Sequence, residues 1–233
     1  MAGPAIGKDS SSKKVGHTQK AYQGIRNMLF HNEIVADQKI SYRDLSERLG
    51  MSQTPVIQAL KWLEFQQLVR HEPNRGYYTA PINLKEVSEI YSLRRLIELD
   101  LLKTTFKRID AKGIKRLRLA LDAHLKASKE LYLYDRLVKD MEYHLVLASL
   151  ADCDVQLQTL KNLFDLLYLK YGAKFLFSSS MENADAAHLK LYQCIEKGDR
   201  KGALKALSTH ILDVKEHVVR GVKHMLSATR IQR

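Results

Sequence analysis

Apolar side chains recur every three or four residues through most of this chain, which is the spacing of α-helices that bury one face. After Pro81 the chain has no further proline and little glycine, so helices are the only elements expected there. We expect these helices to form an antiparallel bundle. The predicted helices are Leu84 to Lys107, Lys112 to Ser128, Tyr132 to Leu150, Val155 to Phe177, Asn183 to Lys197 and Lys201 to Ser227.

A different pattern occupies residues 41–80, where two short helices precede two β-prone runs. Ser41, with Asp44 three residues later, is expected to cap a first helix, Tyr42 to Leu49, which ends at Gly50. Ser52 is expected to cap the second helix. Apolar residues recur on one face of the second helix, so we expect the opposite face to be exposed. This opposite face, which we call the reading face, comprises Gln53, Thr54, Ile57, Gln58 and Lys61.

The two β-prone runs, Leu68 to His71 and Gly76 to Thr79, flank the turn signal Glu72-Pro73-Asn74-Arg75 and predict a hairpin. Two crossed helices followed by a hairpin are typical of a winged helix-turn-helix, whose second helix enters the major groove of DNA. The hairpin, or wing, can bring Arg75 and the backbone of Gly76 to the phosphates. The alternative is a small helical domain that ends in an unrelated hairpin.

Composition is compatible with a polyanionic partner without establishing one. The 233 residues carry a net charge of +12, and the surplus is spread over both halves of the chain. No apolar run approaches the roughly 20 residues of a membrane span, so we expect a cytoplasmic protein without membrane contact. Cys153 and Cys194 favour buried free thiols over a disulfide. The expected fold is mainly α, in three parts: a disordered tail (1–16), a winged helix-turn-helix domain (17–81) and an all-helical domain (82–228).

Several histidines in the helical part could belong to one metal site. Asp140 and His144 are four residues apart on a predicted helix, so their side chains leave the same face one turn apart, as two ligands of one ion require. His188 and His210 lie on the last two predicted helices. On spacing alone, each histidine is more often a surface or core residue than a ligand. The chain has nine histidines, so suitable spacings arise easily by chance. His217 and His224 continue from His210 at intervals of seven, and we leave them out of the ligand set.

The first domain resembles the DNA-binding domain of GntR-family transcriptional regulators. The resemblance is carried by Ala21-Tyr22, Ile25-Arg26, the run Leu45 to Leu60, Leu68-Val69 and Pro73-Asn74-Arg75-Gly76. It implies that double-stranded DNA is contacted by Arg43, Ser52, the reading face, Arg75 and Gly76.

This chain departs from that family pattern on the reading face. The family usually carries Arg at the positions of Gln53 and Ile57, and Glu at that of Gln58. Because Arg reads guanine with two hydrogen bonds, the loss of two arginines predicts a changed operator, weaker binding or both. Gln53 and Gln58 can pair with adenine and Ile57 can touch a thymine methyl group, so we expect an operator that favours A·T pairs.

The second domain is similar to the all-helical effector domain, of the FCD type, in the FadR branch of GntR regulators. The similarity is carried by Asp140 to His144, Ala151 to Leu157, His188, Gly198-Asp199 and His210. A departure is Asp154, where the family usually has an asparagine that caps a helix. Members with this motif hold a divalent metal, so the resemblance implies the ligands Asp140, His144, His188 and His210. Three imidazoles and a carboxylate favour zinc first, then nickel, iron or manganese, over calcium or magnesium.

The resemblance also gives Arg94 a candidate role. Its position in similar proteins can point into the effector pocket, whereas the alternative is a solvated surface pair with Glu98, four residues later. A small carboxylate effector could occupy the metal positions that the four protein ligands leave open. Arg94 would then supply a cation for that acid.

Together these observations favour a ligand-responsive DNA-binding transcriptional regulator, and not an enzyme. Helix-turn-helix proteins read two-fold operators with paired recognition helices, which predicts a homodimer. The family resemblance favours a repressor that its ligand releases from DNA. One alternative, raised by the missing arginines, is a metal- or ligand-binding interaction protein with weakened DNA binding. A metal-dependent hydrolase is disfavoured, because the sequence has no HExxH motif and Glu142 points off the ligand face.

Overall fold

The computed structural model describes residues 10–128, 133–170 and 181–231. The chain divides into two compact units, Met1–Ile82 and Asn83–Arg233. The described residues are mainly helical, and their small sheet lies in the first unit, which confirms the predicted fold class. Within the described ranges, no helix has the length and apolar character that crossing a membrane would need.

The described part of the first unit combines helices with a three-stranded antiparallel sheet. The strands lie in the order β1-β3-β2, and Ile40 pairs with Tyr77 while Val69 pairs with Thr79. The helix α1 packs against α3, and Ile25 on α1 is fully buried. The elements are α1 (Ser10–Phe30), β1 (Lys39–Ile40), α2 (Tyr42–Leu49), α3 (Gln53–Phe65), β2 (Val69–Glu72) and β3 (Gly76–Thr79).

The predicted helix-turn-helix is present, and its turn has a clear local cause. The Ser41 side chain accepts a hydrogen bond from the backbone N–H of Asp44, which satisfies a free donor at the start of α2. Gly50 ends α2 in the left-handed region at φ 62°, a conformation that glycine adopts without steric cost. Met51 and Ser52 follow this cap, and α3 begins immediately after them at Gln53.

Two boundaries of the first unit differ from the sequence expectation. The strand β2 begins at Val69 rather than Leu68, because Leu68 donates its N–H to Leu63 O at 2.9 Å and so still belongs to the turn that closes α3. The helix α1 begins at Ser10, so residues 10–16 are helical and do not belong to a disordered tail. Serine is well tolerated at a helix start, and the helix gains stability from the buried residues further along. Residues 1–9 of the expected tail lie outside the described residues.

The second unit is built from helices in all its described parts. α4 packs along the last helix, the last two helices pack together, and α5 packs on both α6 and α8. The helices are α4 (Leu84–Arg108), α5 (Ala111–Ala127), α6 (Leu133–Ser149), α7 (Asp154–Asp165), α8 (Met181–Glu196) and α9 (Arg200–Ile231).

One helix of this unit is less regular than the sequence predicts. The expected helix from Val155 to Phe177 starts as α7 but changes at Leu166–Lys170 to the wider π-helical winding. Residues 171–177 of that expected helix lie outside the described residues. Single π-helical turns inside helices are found frequently at functional sites.

Candidate metal centre and nucleic-acid interface

The reading face lies on the solvent side of α3. Val56, Ala59, Leu60 and Leu63 are fully buried and hold the opposite face in the core. The residues of the reading face are placed as follows: Gln53, Thr54, Gln58 and Lys61 are exposed, and Ile57 is half-buried. An exposed polar stripe on the second helix of a helix-turn-helix has the placement that base contacts in the major groove require.

The remaining candidate DNA contacts lie around this helix. Ser52 occupies the N-cap of α3 but its side chain makes no capping hydrogen bond, so the expectation that its hydroxyl caps the helix is wrong. Arg43 on α2 is 79% exposed and Arg75 at the wing is 74% exposed. Each arginine makes an exposed ion pair, with Glu47 and Glu72 respectively, and such pairs are weak enough to be exchanged for phosphate. Gly76 has φ 97°, which explains the glycine at this turn.

A compact cluster of possible metal ligands lies inside the second unit. α6 supplies Asp140 and His144, α8 supplies His188, and α9 supplies His210. One ligand atom from each residue lies within 4.8 Å of all the others. His144 Nε2 is 3.2 Å from His188 Nε2 and 3.3 Å from His210 Nε2, and Asp140 Oδ1 is 3.5 Å from His188 Nε2. Zinc–nitrogen bonds of about 2.0–2.1 Å put neighbouring tetrahedral ligands roughly 3.3 Å apart, so the residues present fit such an ion.

Burial keeps His188 and His210 in the neutral form that binds metals. His144, His188 and His210 are at most 6% exposed. Burial lowers the pKa of His188 and of His210 well below the usual range, and the neighbouring positive groups add to this. Burial alone would raise the pKa of Asp140, but the histidines and Arg94 outweigh it and hold that pKa below its usual value. The cluster therefore offers the neutral imidazoles of His188 and His210 and the carboxylate of Asp140 at neutral pH.

Glu98 on α4 fixes the proton of His144. Its Oε2 lies 2.6 Å from His144 Nδ1, and both side chains are buried. Burial opposes ionisation of Glu98, yet Arg94 and His144 outweigh it and lower its pKa to about 2. Because an ionised carboxylate can only accept, His144 Nδ1 donates to Glu98, which leaves Nε2, the nitrogen nearest His188 and His210, as the atom that could bind a metal.

Arg94 in turn binds Glu98. Its Nε donates to Glu98 Oε1 at 2.9 Å, and the two side chains are 4% and 3% exposed. The i,i+4 pair with Glu98 that the sequence left open as an alternative does form, but it is buried rather than solvated. The guanidinium also stacks over Phe164, 4.2 Å from the ring centre. Since the charge of Arg94 helps to lower the pKa of Asp140, the guanidinium acts electrostatically on the cluster.

Sequence reasoning missed three side chains around the cluster, those of His124, Asp185 and Tyr168. His124 Nε2 on α5 lies 3.0 Å from His188 Nδ1 and 3.1 Å from Asp185 Oδ1. The Tyr168 hydroxyl, in the π-helical turn, donates to Asp140 Oδ2 at 3.5 Å. The signal for His124 was its place at helical spacing after the buried Leu117 and Leu121.

The other histidines and the cysteines that the sequence singled out in this unit lie outside the cluster. His217 is half-buried and His224 is exposed, and the cluster of possible ligands includes neither of them. Cys153 and Cys194 are free and half-buried. The free state of both thiols agrees with the sequence expectation. The expected burial is only partial.

A winged helix-turn-helix followed along the chain by a helical unit is the architecture of a class of DNA-binding transcriptional regulators. Comparison with known sequences identifies the family. Residues 17–78 match the gntR family of bacterial regulatory proteins, and residues 89–213 match the FCD domain. The chain belongs to the GntR family of transcriptional regulators, with an FCD domain as its second unit, and this family consists of regulators rather than enzymes.

Individual relatives agree with this assignment. The chain is 24% identical over 200 residues to the HTH-type transcriptional repressor RspR of Escherichia coli K12, covering 86% of this chain and 88% of that one. It is 26% identical over 200 residues to the Uxu operon regulator of Haemophilus influenzae, covering 78% and 73%. The solved structure of Escherichia coli McbR/YncC has a similar fold, with a TM-score of 0.76 at 14% identity, covering 88% of this chain and 97% of that one.

Proposed function

We propose that this transcriptional regulator senses a small organic acid through a divalent metal ion bound by Asp140, His144, His188 and His210. The observation that supports this is the cluster itself: four suitable ligand atoms within 4.8 Å of one another, three of them on buried histidines. The donor set selects a transition metal, with zinc preferred and nickel, iron or manganese also suitable. When bound, the ion supplies an electrophilic anchor for a carboxylate.

Arg94 is the proposed cationic partner of that carboxylate. Its Nε donates to Glu98, and a guanidinium carries two further nitrogens with which it can bind a carboxylate. Its electrostatic effect on Asp140 supports a place beside the metal ligands. In this arrangement the acid would be recognised by a metal and a guanidinium inside a largely apolar bundle.

The DNA-bound form is proposed to be a homodimer that acts as a repressor. A two-fold operator presents paired half-sites, and one reading helix from each copy would occupy one of them. The acid can change DNA binding only through a different affinity for DNA-competent and DNA-incompetent states, typically worth about 1–3 kcal/mol. The repressor role is supported by the similarity to RspR, which is a transcriptional repressor.

The metal proposal is tested by elemental analysis and zinc titration of the full chain, purified without a histidine tag. We expect about one ion per chain, and loss of high-affinity binding in His188→Ala and His210→Ala. His224→Ala is the matched control, because His224 lies exposed on the same helix as His210. Equal zinc affinity in His210→Ala and His224→Ala would refute the ligand assignment.

The DNA and effector proposals are tested by mobility shift on the DNA upstream of the gene. A specific shift at moderate salt that weakens when a panel of small dicarboxylates or sugar acids is added would support the proposal. Absence of any specific shift would favour the interaction protein with weakened DNA binding. Tighter DNA binding with the acid would reverse the proposed repressor mechanism.

A further inference from the structure

Gln58 differs from the rest of the reading face because its side chain is tied to another helix. The Thr18 hydroxyl on α1 donates to Gln58 Oε1 at 2.7 Å. Thr18 is 2% exposed whereas Gln58 is exposed, so the bond joins a buried anchor to a candidate base contact. α1 packs against α3 along their apolar faces, which fixes the position of the anchor.

This bond uses one end of a two-ended group. A glutamine amide accepts hydrogen bonds through its carbonyl oxygen and donates them through its NH₂ group. Pairing with adenine requires both ends, because the side chain must accept from N6 and donate to N7. Because the two ends of the planar amide point in different directions, holding Oε1 against Thr18 leaves the NH₂ group of the exposed Gln58 side chain as the end that can face DNA.

We propose that Thr18 orients Gln58 so that it presents hydrogen-bond donors to DNA, and that Gln58 therefore selects guanine in the operator. Guanine offers two acceptors in the major groove, O6 and N7, whereas thymine (O4) and adenine (N7) offer one each. Thr18 is then a positioning residue that acts through Gln58. The inference rests on the DNA-binding role of the reading face and revises the expectation that Gln58 pairs with adenine.

The expected size of the effect follows from one hydrogen bond. A neutral bond contributes a factor of about 2 to 10 in an equilibrium. Without the hydroxyl of Thr18, the amide can rotate and offer both ends, so adenine becomes competitive. We therefore expect the preference for guanine over adenine at one position of each half-site to fall by about 2- to 10-fold.

The experiment is selection of bound duplexes from a randomised pool by the full-length wild type and four variants. Gln58→Ala identifies the half-site position that depends on Gln58, because selectivity there is lost. Thr18→Ser keeps the hydroxyl and should keep guanine, whereas Thr18→Val removes it and should raise the share of adenine at this position alone. Gln58→Glu leaves the α1–α3 core intact and offers only acceptors, so it should shift the preference from guanine toward cytosine.

Each outcome bears on the proposal. Adenine at the Gln58-dependent position in the wild type, an unchanged base preference in Thr18→Val, or retained guanine in Gln58→Glu would overturn it. A selected motif that Gln58→Ala does not alter would also overturn it while leaving α3 as the reading helix. If the wild type selects no motif at all, both this inference and the proposed operator recognition fail.

Discussion

Replacing Glu98 by alanine is expected to destabilise the second unit by about 3–5 kcal/mol, because it leaves a buried guanidinium without its counter-charge. Arg94 and Glu98 are 4% and 3% exposed, and Arg94 Nε lies 2.9 Å from Glu98 Oε1. The other oxygen of Glu98 lies 2.6 Å from His144 Nδ1. Truncation therefore removes the partner of a charge that solvent does not reach. Since about 1.4 kcal/mol is a factor of ten, the unfolded fraction should rise at least about a hundredfold.

The double variant Arg94→Met with Glu98→Leu separates the cost of an unpaired charge from that of altered packing. It removes both charges and replaces them with apolar groups of similar size, which is often neutral or stabilising for a buried pair. His144 then loses one hydrogen-bond partner, which costs about 1–3 kcal/mol if it stays unsatisfied. We expect the double variant to be clearly more stable than Glu98→Ala alone.

The assay is urea denaturation followed by far-ultraviolet circular dichroism, with a chelator present so that metal binding does not contribute. Asp122→Ala is the matched control: Arg118 and Asp122 have the same i,i+4 spacing and the same 2.9 Å contact, but are 53% and 50% exposed. Its unfolding midpoint should stay nearly unchanged. Equal midpoint shifts in Glu98→Ala and Asp122→Ala, or a double variant as unstable as Glu98→Ala, would refute the reasoning.

Three further predictions concern other parts of the chain. His124→Gln should lower zinc affinity about tenfold, because it disturbs the outer partner of His188 Nδ1; chelator competition measures this, and unchanged affinity contradicts it. The metal-free protein should lose stability as pH falls below about 6.5. In the folded state the pKa values of His188 and His210 are lowered, so these side chains stay unprotonated there, whereas in the unfolded state they bind protons. Thermal melts from pH 7.5 to 5.5 test the sign, and a higher melting temperature at pH 5.5 would contradict it. Gly50→Ala should cost about 1 kcal/mol at φ 62°, whereas Gly16→Ala in a helix, with open space at the new Cβ, should cost nothing; equal melting temperatures would contradict this.

Much of the first unit is predictable from signals that lie close together in sequence. The cap at Ser41, the break at Gly50 and the buried stripe of α3 depend on neighbours in sequence, and all three are found. α1 was not predicted although Ala21 and Ile25 already show helical spacing, so this omission was not forced by the sequence. The short β1 could not be foreseen, because a two-residue strand exists only through its pairing with β3.

The candidate site was readable only in part. The i,i+4 spacing of Asp140 and His144 needs no tertiary information, whereas the meeting of His188 and His210 with them does; a family resemblance supplied that link. The burial of Glu98 could not be predicted, because charged residues are normally exposed and no neighbouring residue in sequence indicates otherwise. The bond between Thr18 and Gln58 spans 40 residues and depends on how α1 lies on α3.

The π-helical turn at Leu166–Lys170 sets the direction in which Tyr168 projects. Each residue of an α-helix advances by about 100°, so a chain with one residue fewer in this turn could wind regularly but would rotate the phenol by that angle relative to α7. The hydroxyl now donates to the carboxylate of Asp140, and burial, aided by that carboxylate, keeps the pKa of Tyr168 well above its usual value so that the donor persists. Removing one residue from this turn would therefore leave the helix regular but would cost Asp140 the phenolic donor.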